Sequence, residues 1–186
     1  MIVDPAPDND VIHGGAGNDY IVSYQGDHLQ DRDKIYGEDG NDTILLGGSQ
    51  TGDLADGGRG FDTFVYAGGG SITPKPITII YQPGQFHIVA AGKATALLVN
   101  FERVVLRTGM GADTLSGSPN NDIIESTGGR DLLEGGKGND QIGLLYRDLE
   151  DNQFEDVTLS GGSGLDTLSV SFNLDSTFGF AVDVGA

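Results

Sequence analysis

Residues 113–142 read DTLSGSPNNDIIESTGGRDLLEGGKGNDQI, and an aspartate recurs in them at every ninth position: Asp113, Asp122, Asp131 and Asp140. Two residues after each stands a large aliphatic side chain, Leu115, Ile124, Leu133 or Ile142. A period of nine with one phase reserved for a carboxylate and another for an apolar residue marks a stack of small repeated units, each relying on its neighbours for a core.

The unit has nine positions, with glycine favoured at 1, 2 and 4, aspartate at 6 and an apolar residue at 8. Its most complete copies are GGAGNDYIV from Gly14, GGKGNDQIG from Gly135 and GGSGLDTLS from Gly161. Outward from the quoted stretch, the same phase holds Asp10, Asp19, Asp33, Asp42, Asp53 and Asp62 on one side and Asp166 on the other. Eleven of the twenty-two aspartates therefore share one phase of one period. The matching eighth positions are Ile12, Ile21, Ile35, Ile44, Ala55, Phe64, Leu115, Ile124, Leu133, Ile142 and Leu168, of which only Ala55 is small.

These stretches resemble the repeat-in-toxin, or hemolysin-type, calcium-binding nonapeptide of secreted bacterial proteins. The resemblance implies an all-β fold, a right-handed parallel β-roll or β-solenoid of calcium-binding repeats. It also implies a block or fragment of a larger secreted protein. The implied metal ligands are Asp10, Asp19, Asp33, Asp42, Asp53, Asp62, Asp113, Asp122, Asp131, Asp140 and Asp166. Backbone carbonyls join them, from Gly14, Gly15, Gly17, Gly37, Gly40, Gly57, Gly58, Gly60 and Gly109 and from Gly111, Gly117, Gly129, Gly135, Gly136, Gly138, Gly161, Gly162 and Gly164. Each ion is expected between the turn of one repeat and that of the next but one. The pairs are then Asp10 with Asp33, Asp19 with Asp42, Asp33 with Asp53, Asp42 with Asp62, Asp113 with Asp131, Asp122 with Asp140, and Asp131 with Asp166.

Physical chemistry supports this reading position by position. Glycine-rich positions 1 to 6 suit a turn whose carbonyls approach closely, and positions 7 to 9 suit a short strand with position 8 inward. Outward neighbours such as Lys34, Thr43, Thr114, Glu134 and Gln141 are polar. Two repeats make a full turn, so strands pair in parallel at a spacing of two repeats. The net charge of −18 makes a nucleic-acid partner unsuitable and a cation suitable. Roughly five to eight calcium ions would come close to cancelling it, and without them carboxylates would repel at a strand spacing of about 4.8 Å. With no cysteine, the available ligands are hard oxygens, which calcium takes six to eight at a time.

The expected organisation is a first repeat block over 5–65, an inserted β-hairpin or capping segment over 66–107, a second block over 108–143, a loop insertion over 144–160, and a further repeat with its flank over 161–186. The first insertion alternates like antiparallel strands, from Ile77, Phe86, Ala94 and Glu102, and is read as a cap between coils. The other reading of it is a ligand surface of Tyr66, Tyr81, Phe86 and His87. The second insertion carries Asp148, Glu150, Asp151, Glu155 and Asp156 and is read as a solvated loop. Imperfect repeats at 28–36 and 47–56 leave their sites open, with Asp8, Asp31 and Asp39 as extra carboxylates.

No run of about 20 apolar residues suggests a transmembrane span. His13, His28 and His87 match no metalloprotease helix, and neither GxSxG nor a P-loop occurs, so no catalytic residues are expected. The leading expectation is a module unfolded at low calcium and folded on calcium binding outside the cell. It would belong to a toxin, adhesin or exoenzyme that leaves through the type I secretion machinery. The alternative is a carbohydrate- or surface-binding module of an adhesin or polysaccharide-modifying enzyme, with Tyr20 and Tyr36 as outward aromatics.

Overall fold

The computed structural model describes residues 1–4, 9–24, 32–47, 52–68, 76–90, 93–146 and 157–172. In chain order the strands of the first part are β1 (Ile2–Asp4), β2 (Val11–Ala16), β3 (Tyr20–Tyr24), β4 (Lys34–Asp39), β5 (Thr43–Gly47), β6 (Asp53–Asp56) and β7 (Thr63–Ala67). The middle contributes β8 (Ile77–Gln82), β9 (Gln85–Ala90), β10 (Lys93–Val99) and β11 (Arg103–Arg107). The last part contains β12 (Thr114–Ser116), β13 (Ile123–Ser126), β14 (Leu132–Lys137), β15 (Gln141–Tyr146), β16 (Thr158–Ser163) and β17 (Thr167–Phe172).

The strands form two sheets, one of order β1-β3-β5-β7-β11-β13-β15-β17 and one of order β16-β14-β12-β8-β9-β10-β6-β4-β2. In each repeat block the chain alternates between them, so every second strand is a neighbour and neighbours run parallel, as a parallel β-roll requires. Register follows the eighth position: Ile21 pairs with Ile44, Ile44 with Phe64, Leu115 with Leu133 and Ile124 with Ile142. Equivalent aspartates lie 23, 20, 18 or 26 residues apart along the chain, yet the strand register is kept. The surplus residues fall between strands, where they move no inward side chain to the outer face.

The inward row is the one the period marks. Ile21, Ile35, Ile44, Ala55, Phe64, Leu115, Ile124, Leu133 and Ile142 are buried, while Ile12 and Leu168 near the ends are partly buried against the same core. Even Ala55 has no exposed surface.

The middle differs from the expected cap. Strand β10 pairs parallel with β6, β8 pairs parallel with β12, and β9 lies antiparallel between β8 and β10. The insertion therefore lies inside the coil and joins the two blocks, with β7 directly beside β11 in the other sheet. Three strands are the smallest antiparallel insertion that presents the coil's own direction to both blocks. Its aromatic side chains also leave the ligand-surface reading without support: Tyr66 and Phe86 are buried, and the Tyr81 ring packs on Phe86 at 4.9 Å.

Two further differences concern the ends. Strand β1, ahead of the first repeat, pairs with β3 and was not expected. Within the 144–160 loop expectation, β15 runs on to Tyr146 and β16 begins at Thr158. Asp148, Glu150, Asp151, Glu155 and Asp156, like Asp8 and Asp31, lie outside the described residues.

Candidate metal centre

Winding between two sheets places the described turns that join them on two edges. On the first edge, where the chain leaves the nine-stranded sheet, lie turns 14–19, 37–42, 57–62, 100–102, 117–122, 135–140 and 161–166. At the opposite strand ends, on the second edge, lie Asp10, Asp33, Asp53, Asp113 and Asp131.

On both edges the sixth-position aspartates form a ladder. The backbone N–H of Asp19 donates to Asp42 Oδ1 at 2.8 Å, that of Asp42 to Asp62 Oδ1 at 2.7 Å, that of Asp122 to Asp140 Oδ1 at 2.8 Å, and that of Asp140 to Asp166 Oδ1 at 2.9 Å. On the second edge Asp10 donates to Asp33 at 3.0 Å, Asp33 to Asp53 at 2.9 Å, and Asp113 to Asp131 at 2.9 Å. Six of the seven expected pairs are thus adjacent. The exception is Asp131 with Asp166: Asp166 serves Asp140 instead, because the stretch before it contains the additional strand β16, which pairs with β14. Val157 precedes β16 where an aspartate would stand, so the carboxylate period gave no sign of that half turn.

A second ladder, on the fifth position, runs the opposite way. Asn18 Oδ1 accepts from the Asn41 N–H at 2.9 Å and Asn41 Oδ1 from that of Phe61 at 2.9 Å. Likewise Asn121 accepts from Asn139 at 2.7 Å, and Asn139 from Leu165 at 2.9 Å. Sequence reasoning missed these asparagines, although the recurrent Asn-Asp dipeptide was their signal. It also missed Glu102, which has no periodic signal: its Oε2 accepts from the Asp62 N–H at 2.8 Å, where the ladder would otherwise present an aspartate.

The aspartate ladders use one carboxylate oxygen, Oδ1. The second oxygen, Oδ2, has no hydrogen-bond partner in Asp42, Asp62 or Asp140, although all three aspartates are buried. What each faces is a carbonyl of the next layer across the first-position glycine. A Cβ on Gly37 would collide with Gly57 O and Asp42 Oδ2, and one on Gly135 with Gly161 O and Asp140 Oδ2. One on Gly14 would come within 2.7 Å of Gly37 O and 3.2 Å of Asp19 Oδ2, and one on Gly57 would meet Asn100 O and the Asp62 carboxylate. Each first-position glycine therefore leaves open a small cradle lined by a carboxylate oxygen and a carbonyl oxygen.

Other expected carbonyls serve as stacking surfaces. Those of Gly17, Gly40, Gly111, Gly136 and Gly138 lie against the α-carbons of the next layer. Their partners, such as Gly40 and Gly60 at φ +147 and +146, have no room for a side chain. The Gly109 carbonyl accepts from Ser126 Oγ at 3.3 Å. For the carbonyls of Gly14, Gly15, Gly58, Gly60, Gly117, Gly129, Gly162 and Gly164 a ligand role remains a proposal. The imperfect repeats keep the ladder, for Asp33 and Asp53 are both buried in it, whereas Asp39 is exposed beside Arg59.

The cost of burial appears in the proton affinities, and for Asp122 it outweighs the Ser118 hydrogen bonds that work against it. Desolvation pushes Asp62, Asp113 and Asp122 up to about 6 and raises Asp42 and Asp140 as well, with the next carboxylate in each ladder adding to the effect. A hard divalent cation at each Oδ2 would remove this penalty by supplying the positive charge that balances the carboxylate. The donor set of carboxylate and carbonyl oxygens fits calcium, which tolerates flexible geometry, better than magnesium, which demands near-octahedral order.

Fold and site together define a calcium-binding β-roll. The family model described as "RTX calcium-binding nonapeptide repeat (4 copies)" matches residues 7–27, 29–50 and 107–142, so the chain carries repeats of the RTX family. Asp53, Asp62 and Asp166 stand outside the matched segments but occupy the same ladders. A search of curated proteins finds no match. Among the described residues no helix is long and apolar enough to cross a membrane.

Proposed function

We propose that the chain is a calcium-triggered folding module, open at low calcium and folded outside the cell as part of a protein exported by a type I route. One observation carries this reading: buried aspartates stacked layer on layer, with Asp42, Asp62 and Asp140 each holding an oxygen that no hydrogen bond satisfies. Without a cation the compact state must bear desolvated, mutually repelling carboxylates, which the unfolded chain avoids by hydrating them. Extracellular calcium modules bind at roughly 0.1 to 1 mM, far above cytosolic calcium. At ten times Kd each ion adds about 1.4 kcal/mol, so about five ions contribute stability comparable with that of a whole domain. The module so read needs no catalytic group.

The glycan-binding alternative loses its sequence support. Tyr20 lies on β3 and Tyr36 on β4, in different sheets, so they share no outward face. Tyr36 instead stacks on His13 at 5.1 Å.

The test is far-ultraviolet circular dichroism of the chelated chain during calcium titration, with magnesium as control. The reading expects a cooperative gain of β signal at sub-millimolar to millimolar calcium and none with magnesium. A chelated chain already fully β and indifferent to calcium would sink it.

A further inference from the structure

The layers of the coil are not alike, and the difference lies in what each Oδ2 meets. For Asp122 and Asp131 the hydrogen bond comes from the chain itself. The Ser118 N–H donates to Asp122 Oδ2 at 2.6 Å, and the Ser118 hydroxyl lies 2.9 Å from the same oxygen and 2.7 Å from the carbonyl of Glu102. Asn120 completes the knot: its N–H donates to Ser118 Oγ at 3.0 Å and its Nδ2 to Glu102 O at 2.8 Å. On the other edge Ser126, at the first position of its repeat, donates its hydroxyl to Asp131 Oδ2 at 2.6 Å. Both serines are buried.

The sequence explains why these two repeats close on themselves. Ser118 replaces the second glycine, which takes a positive φ in Gly15, Gly58, Gly136 and Gly162. Ser118 is not among the residues with positive φ, as expected of a residue that precedes a proline, Pro119. Ser126 replaces a first glycine, so its Cβ and hydroxyl occupy the cradle that Gly37 and Gly135 leave open. Ser23 also reaches Asp33 Oδ2, at 3.3 Å, longer than the usual hydroxyl–oxygen bond.

We infer that Ser118 with Pro119, and Ser126, decide ion dependence layer by layer: they latch the Asp122 and Asp131 carboxylates so that these layers hold without calcium. The latched layers adjoin the joining segment, where Phe101 packs on Phe64 at 5.6 Å and Glu102 bridges the ladder. The layers of Asp122 and Asp131 are then a calcium-independent seed, from which the ion-dependent layers grow in both directions, starting with that of Asp113, whose Oδ2 has no hydrogen bond. This rests on the calcium-triggered reading and refines it.

Hydrogen exchange of the full chain in chelator tests the seed directly. Amides of residues 117–131 are expected to exchange at least about 10-fold more slowly than those of 14–47. Ser126→Ala, and Ser118→Ala in a second variant, should cut that protection by about 10- to 100-fold, as loss of a hydrogen bond to a charged group does. Ser118→Gly combined with Pro119→Lys copies Gly136-Lys137 of the next repeat but one, and calorimetry should then count one more calcium ion than in wild type. Uniform exchange in chelator, or serine variants that change neither protection nor ion count, overturns the inference while leaving calcium-triggered folding intact. A wild-type chain that takes up no calcium overturns both.

Discussion

The arms of the coil and its middle solve the same packing problem with different materials. In the arms each layer buries one aliphatic side chain per half turn, such as Ile21 and Ile44 or Ile124 and Ile142, between edges of stacked carboxylates. In the middle the core widens to include Phe64, Tyr66, Phe86 and Phe101, together with Ile77, Ile79, Ile88 and Leu98 from the joining strands. There Glu102 accepts from the Asp62 N–H and serines hold the Oδ2 of Asp122 and Asp131, while Asp62 and Asp113 keep an open carboxylate oxygen. The lesson is that ion dependence belongs to a layer, not to the fold: a parallel β-roll holds where apolar area and hydrogen bonds suffice, and needs calcium where they do not.

The largest break in that contrast should come from Phe101→Ala, at about 3–5 kcal/mol for a buried aromatic. Expected is loss of residual structure in chelator, with the calcium-loaded protein still folding at a lower melting temperature. Thermal unfolding with and without calcium separates the two states. If Phe101→Ala affects only the calcium-loaded state, the middle is no more independent than the arms.

Next in size is the response to acid. Asp62, Asp113 and Asp122, ordinarily near 3.8, are raised to about 6 in the calcium-free fold. A raised folded-state value means the fold holds its protons more tightly than the unfolded chain, so stability is gained as pH falls from above 6 toward 4 and lost as pH rises through 6. Circular dichroism in chelator should therefore show acid partly replacing calcium. A chelated chain that loses β structure steadily from pH 7 to 4 would contradict the desolvation argument.

Asp42→Asn sharpens the comparison through its sign. It keeps an acceptor for the Asp19 N–H but removes one charge from an open cradle. The calcium-loaded protein should lose about 1.4 kcal/mol at ten times Kd, the contribution of one ion, while the chelated arm becomes more ordered at neutral pH. Paired melts report both, and a loss of equal size in both conditions would mean that no ion depends on Asp42.

The smallest effect is expected at Glu38, which holds the second position of its repeat at φ +77, where other repeats carry glycine. Glu38→Gly should stabilise the arm by roughly 1 kcal/mol through relief of left-handed strain. Loss of the exposed 2.6 Å contact to His13 offsets little of that gain. Denaturant melts in calcium measure it, and a destabilised variant would show that the His13 contact matters more than the backbone.

Much of this molecule is written locally. The period placed Ile21, Ile44, Leu115 and Ile142 inward because a strand alternates sides, and spaced the aspartates so that repeats two apart meet. The strands from Ile77, Phe86 and Ala94 were visible in their own alternation. Equally legible were the glycines whose close carbonyl contacts leave no room for a Cβ. What local pattern does not contain is the partner of an irregular segment. Only the assembled sheets decided that β7 lies against β11, that β10 turns back to β6, and that Asp166 serves Asp140 rather than Asp131. Those choices depend on which distant edges remain unpaired once the regular strands have stacked. The reach of Glu102 to Asp62 and of Ser126 to Asp131 was decided in the same way, because a hydrogen bond is set by where two backbones stop in space and a nine-residue period says nothing about residues that break it.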